Sequence, residues 1–182
     1  MQPGIGRHAI SHIIIDGYNV IGIFHKDMEK ARDSFVDLLI SYRKVKAHDI
    51  TVVFDGYKSG AGTEHVSVRG GVKIIYSRLD ERADDVIKRI VSTDKKEWIV
   101  VSNDKDIVNH AWAADCIPVP SEKFFDIVSR QTGQAVSGTR EYPDADFSYK
   151  DAEYDDYPNA QKGNPYRLSK KEKAIRRALG KL

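Results

Sequence analysis

Apolar residues fall in short blocks along this chain, and the spacing inside the blocks switches between two periods. His12–Ile15, Ile50–Phe54, Val72–Tyr76, Trp98–Val101 and Cys116–Val119 are compact runs rich in Ile and Val, which predict strands. The first run has no polar alternation, so its strand is buried on both faces. Between the runs, apolar positions return every three or four residues. Met28, Ala31, Phe35, Leu38, Leu39, Tyr42 and Val45 mark a helix over Lys26–Val45. Ala83, Val86, Ile87, Ile90 and Val91 mark a second over Asp80–Val91, and Lys105–Ala114 and Ser121–Arg130 are helical too. Lys58–Gly71 reads as a long loop, with a small hairpin around Arg69-Gly70-Gly71. Alternating strands and helices predict an α/β fold with parallel strands, about five in number, and right-handed crossovers.

Periodicity ends past Thr132, and the polar stretch up to Pro165 is expected to be largely disordered. A helix restarts at Ser169, where Ser169 and Glu172 form a capping box. Its stripe is Ile175, Ala178, Leu179 and Leu182, ringed by Lys170, Lys171, Lys173, Arg176 and Arg177. The expected organisation is a folded domain over 10–132, an acidic Tyr-rich linker over 133–166 and a basic amphipathic helix over 167–182.

Charge follows the same division. The first 140 residues carry 20 basic and 19 acidic side chains; residues 141–157 carry seven acids and one Lys; residues 162–182 carry eight basic residues and Glu172. That is a near-neutral body with a bipolar tail. The single Cys116 excludes an internal disulfide framework and fits a reducing cytoplasm. No apolar run approaches the roughly 18 residues needed to span a bilayer, and the first 15 residues are too polar for a secretory signal. A cytoplasmic protein without a membrane partner is expected.

Four segments end in acids: HIIID at Asp16, ITVVFD at Asp55, IIYSRLDERADD at Asp84 and Asp85, and WIVVSNDKD at Asp104 and Asp106. Strand C-termini of a parallel sheet share one edge, where ligands bind. Two like charges about 5 Å apart repel by roughly 3 kcal/mol at an effective dielectric near 20. Several such pairs rival a domain's whole stability, so a cluster of this kind takes up protons or cations. Hard oxygen ligands without Cys or paired His favour Mg²⁺ or Mn²⁺, and two such ions suit phosphodiester cleavage. Taken singly, Asp16-Gly17 and Asp55-Gly56 are ordinary turn dipeptides, and Asp80 and Asp104 good helix caps. Asn19, Ser102 and Asn103 are equally at home in turns, although Asn19 is close enough to Asp16 to orient a phosphate or a water.

The motifs I-D-G-Y-N-V-I at 15–21, V-V-F-D-G at 52–56, A-D-D-V-I at 83–87 and V-S-N-D-K-D-I at 101–107 resemble the YacP-like NYN family of PIN-like nucleases. The resemblance runs over about residues 12–130. It implies a Rossmann-like (PIN-like) three-layer fold and a metal-dependent endoribonuclease, with relatives linked to RNA decay and ribosome-associated cleavage. By motif position it implies Asp16, Asp85, Asp104 and Asp106 as metal ligands, with Asn19 and Asp55 in support; Asp84 and Asp85 stay alternatives.

Other acidic folds fail on spacing. A haloacid-dehalogenase-type site needs Asp where Tyr18 stands, a receiver domain needs paired acids after the first strand, and G-x-G-x-x-G and Walker A are missing. No organic cofactor is expected. Lys58, Arg69, Arg78 and Arg82 near the acidic edge are candidate phosphate contacts, and Lys170, Lys171, Arg176 and Arg177 candidate RNA or ribosome contacts. The competing reading is a non-catalytic RNA- or ribosome-binding module with the same fold.

Overall fold

The computed structural model describes residues 10–22, 28–56, 62–133 and 168–182. Lys58 and nearly all of the expected linker lie outside these residues.

Six strands form one sheet in the order β3-β4-β2-β1-β5-β6. They are β1 His12–Asp16, β2 Asp49–Phe54, β3 His65–Arg69, β4 Val72–Tyr76, β5 Trp98–Val101 and β6 Ile117–Val119. All pairings are parallel except β3 with β4. The expected five strands become six because part of the predicted loop is β3. The hairpin turn is where it was expected: Gly70 and Gly71 have φ of 54° and 84°, as a two-residue type I′ turn requires. β3 is a short edge strand with little burial, and its alternation rests on only two apolar residues, Val66 and Val68, within a glycine-rich stretch.

Helices cover both faces. α2 (Met28–Lys46), α5 (Ser121–Thr132) and α6 (Lys170–Lys181) pack on one, α3 (Ala83–Thr93) and α4 (Lys105–Ala113) on the other. β1 serves both layers, as its unbroken Ile run predicts: Ile13 and Ile15 face α2, and Ile14 faces α3. A short helix α1 (Gly17–Ile21) follows β1 where a turn was expected. Gly17 and Gly56 are needed for space and have no left-handed φ. A Cβ on Gly17 would come within 2.2 Å of the Phe54 ring, and one on Gly56 within 1.7 Å of the Ser77 carbonyl oxygen.

α6 is part of the body. Ile175, Ala178 and Leu182 are buried, the helix packs along β6, and the Tyr42 hydroxyl donates to the Leu182 carbonyl at 2.7 Å. The capping box of Ser169 and Glu172 is formed. This docking covers β6, the last strand of the sheet. Among the described residues no helix is long and apolar enough to cross a membrane.

Candidate active site

β1, β2, β4 and β5 all point to one edge of the sheet, which delivers Asp16, Asp55 and Asp104 there and starts α3 and α4 beside them. Each carboxylate has a structural task. Asp16 Oδ1 accepts the Asn19 N–H at 3.3 Å, capping α1, while its Oδ2 accepts the Ser102 hydroxyl at 3.0 Å. Ser102 Oγ in turn accepts the Asp104 N–H at 3.1 Å. Asp104 Oδ1 takes the N–H groups of Asp106 and Ile107 at 2.8 and 3.3 Å, capping α4. Asp55 Oδ1 accepts the N–H of Ala83, the first residue of α3, at 2.7 Å. That bond displaces the expected cap at Asp80, so α3 begins three residues later than the periodicity suggests. Negative charge at a helix N-terminus is favourable, which explains how acids this close are tolerated.

The cluster is nonetheless under electrostatic load. Asp16, 7% exposed, has its carboxyl pushed up to about 6, first by burial and further by Asp84 and Asp55, against the pull of Ser102 and Asn19. Asp84 is raised too, chiefly by burial, with Asp104 and Asp55 adding to it and Arg82 and Lys88 opposing. Four aspartates from four segments are therefore linked through two raised carboxyls: Asp55 and Asp84 act on Asp16, and Asp55 and Asp104 act on Asp84.

Of the two adjacent acids on α3, Asp84 belongs to this group, whereas Asp85 is exposed. Helical phase carries that signal: Asp84 shares i+3 and i+7 spacing with buried Ile87 and Val91, while Asp85 aligns with exposed Arg89 and Ser92. Asp106 is exposed and held by Lys88, which keeps its carboxyl below the usual range. Lys88, one helical turn beyond Asp84, was not foreseen. Asn19 Oδ1 accepts the Asn103 N–H at 3.0 Å and the Ser121 hydroxyl at 2.6 Å, so Asn19 joins α1 to α5. Asn103 completes that bridge through the Ser121 N–H and Glu122. Ser77, also unforeseen, accepts the Gly56 N–H at 3.0 Å and fixes the turn after Asp55.

The cationic candidates divide. Arg78 pairs with Asp80 and Glu81, and Arg82 with Asp84, all at the acidic edge. Arg69 lies at the far end of the sheet, opposite Val72 in register, with its guanidinium on Asp33 and Asp37. The antiparallel direction of β3 puts it there, so it does not line the mouth. Lys170, Lys171, Arg176 and Arg177 ride on docked α6, with Lys171 Nζ 5.3 Å from the Trp112 ring centre. Cys116 is buried, which raises its thiol and suits a packing role. A cavity of about 570 Å³ lies away from the acidic mouth, between the C-terminal ends of α3 and α4.

Donor chemistry at the mouth suits a hard divalent cation, since burial and mutual repulsion already drive Asp16 and Asp84 toward accepting positive charge. Among the described residues, however, no three His, Cys, Asp or Glu side chains stand close enough to hold one ion. Carboxylates anchored by N–H donors would have to draw together around it.

Residues 13–161 match the family described as the YacP-like NYN domain. The chain belongs to that family. Two solved structures have the same fold: Rae1 (YacP) from Bacillus subtilis, and a tryptophan-to-leucine mutant of it. The mutant aligns with a TM-score of 0.56 over 67% of this chain and 77% of its own, at 18% identity. The unmutated protein gives 0.52 over 67% and 75%, also at 18%. A search of curated proteins finds no match. For this YacP-like NYN chain the fold is thus a PIN-like, nuclease-type α/β fold of an RNA-related family.

Proposed function

We propose that this protein is a metal-dependent endoribonuclease that cleaves single-stranded RNA at the acidic edge of the sheet. The observation that carries the reading is the convergence of Asp16, Asp55, Asp84 and Asp104 on one sheet edge, where burial first and neighbouring carboxylates after it push Asp16 up to about 6. A PIN-like fold of an RNA-related family supports it. So does the economy of the arrangement, because a protein that only bound RNA would gain nothing from acids facing phosphate.

Asp16, Asp84 and Asp104 would hold Mg²⁺ or Mn²⁺, with Asp55 beside them and Asp85 and Asp106 at the rim. A bound divalent cation there would stabilise charge on the phosphoryl oxygens and make an attacking water more acidic. The protein's own residues orient the site. Ser102 fixes the Asp16 carboxylate and the start of α4, and Asn19 sets the position of α1 against α5. Asp16 near 6 is mostly ionised at neutral pH, the form in which a carboxylate takes up a divalent cation.

Asp16→Asn and Asp104→Asn are each expected to lower Mn²⁺-dependent RNA cleavage by at least about 100-fold while folding persists, and to weaken Mn²⁺ binding measured by calorimetry. Unchanged cleavage by both variants sinks the catalytic assignment. Two observations favour the alternative of a non-catalytic RNA- or ribosome-binding module: Lys88 already neutralises Asp106, and among the described residues no three donors are gathered. RNA binding without cleavage in any divalent ion would establish that alternative.

A further inference from the structure

Beside the acidic mouth, on the α2 face, lies a row of rings that the proposed chemistry does not use. β2, β4 and β3 are neighbours, and at the mouth end of each stands an aromatic residue: Phe54, Tyr76 and His65, with Phe54 opposite Tyr76 and His65 opposite Tyr76. Ring centres are 5.7 Å apart for Phe54 and Tyr76 and 6.2 Å for Tyr76 and His65, with interplanar angles of 26° and 29°. Tyr18 of α1 meets Phe54 edge-on at 5.3 Å, in the space that Gly17 leaves open. Phe54 is fully buried, Tyr18 and Tyr76 half-buried, and His65 exposed.

Arg32 of α2 reaches over this row. Its guanidinium carbon is 5.6 Å from the Tyr76 ring centre and its Nη1 is 3.4 Å from the Tyr18 hydroxyl. Among the described residues no carboxylate pairs with Arg32, whereas the next residue, Asp33, is taken by Arg69. A cation spread over a ring, uncompensated by an acid, is a stacking surface with positive charge.

We propose that Tyr18, Arg32, His65 and Tyr76 form a ledge that holds a nucleobase of single-stranded RNA, laid flat against rings and guanidinium. The proposal rests on the nuclease reading above and adds where the substrate is gripped. Acids in the mouth repel phosphate, so a strand needs an attractive hold beside it. Stacking supplies one that does not depend on phosphate charge, since every base has a π-face and single-stranded RNA exposes it. Arg32 strengthens that hold and offers the backbone a cation.

The test uses the full chain with Mn²⁺ and oligoribonucleotides of one length, each with one abasic ribonucleotide at a successive position. Wild-type protein is expected to lose about tenfold in kcat/KM, through KM, when the missing base falls on the ledge. Tyr76→Leu and Arg32→Met should lose that penalty and treat both substrates alike, while Tyr76→Phe retains it; thermal melts check that each variant is folded. An unchanged penalty in Tyr76→Leu and Arg32→Met, or no penalty at any position in wild type, overturns the ledge. If wild type cleaves no RNA, the nuclease reading has failed separately. Fluorescence polarisation with the same oligomers then decides the ledge, which stands if Tyr76→Leu abolishes a base-dependent affinity and falls if wild type binds all oligomers equally.

Discussion

Asp16 and Asp49 stand at opposite ends of the paired strands β1 and β2, in contrasting surroundings. Asp49 is exposed and has His12 3.1 Å away, while Asp16 is buried, with a serine hydroxyl and a backbone N–H for company. Their neighbours follow suit. At the Asp49 end charges come in opposite pairs, Arg69 with Asp33 and Asp37, Lys96 with Asp94, and Lys181 with Glu97. At the Asp16 end Arg78, Arg82 and Lys88 also find acids, yet Asp16 and Asp84 still feel neighbouring carboxylates. A sheet whose two ends carry similar side chains thus keeps its electrostatic tension at one end only. Tension that stability alone would remove marks the end where chemistry is to be sought.

The contrast can be broken most severely through packing at the tense end. Gly56→Ala drives a methyl group into the Ser77 carbonyl and should cost about 3 kcal/mol or more in urea unfolding. A cost below about 1 kcal/mol would mean that this turn yields easily.

Titration sharpens it next. Asp16 has a folded value near 6 against 3.8 unfolded, so its favourable contribution is complete below pH 3.8 and lost as pH rises through 6. Wild type should lose roughly 3 kcal/mol of stability across that window, and Asp16→Asn should lose less and exceed wild type at pH 7. Urea melts from pH 4 to 7 measure this, and equal slopes for both proteins would contradict it.

A smaller effect is expected from the paired end. Removing 168–182 uncovers β6 and strips Tyr42 of its hydrogen-bond acceptor, for a loss of about 2 kcal/mol. Such a truncation therefore cannot report on RNA binding by α6; reversing Arg176 and Arg177 to Glu, both exposed, is the cleaner probe. Smallest of all, Arg69→Ala should shift stability by about 0.5 kcal/mol or less, because its partners are solvent-exposed.

Much of this arrangement is legible in residue order. Continuous Ile and Val runs give five strands, three-and-four spacing gives the long helices, and acids at strand exits give the edge where they meet. What stayed hidden has physical reasons. α1 is five residues long, too short to display a period, and its Asp-Gly start imitates a turn. β3 is exposed at nearly every position, and its alternation of Val66 and Val68 with polar residues spans only five residues beside glycines. The cap that Asp55 gives α3 joins residues 28 positions apart, which no local signal encodes. Capping strength in ADDVI alone could not tell Asp84 from Asp85, although the phase of Ile87 and Val91 does. The apolar stripe of α6 announces a helix and a buried face, but not the surface that receives it.

Ser102 has one more consequence, and it concerns time. Its hydroxyl joins the end of β1 to the start of α4 across 86 residues, so the mouth has no assembled form until β5 has slotted in beside β1. A polypeptide emerging from synthesis has made its first aspartate long before that event. The acidic edge is therefore among the last parts of the sheet to take form, after the chain past Asp104 has been made.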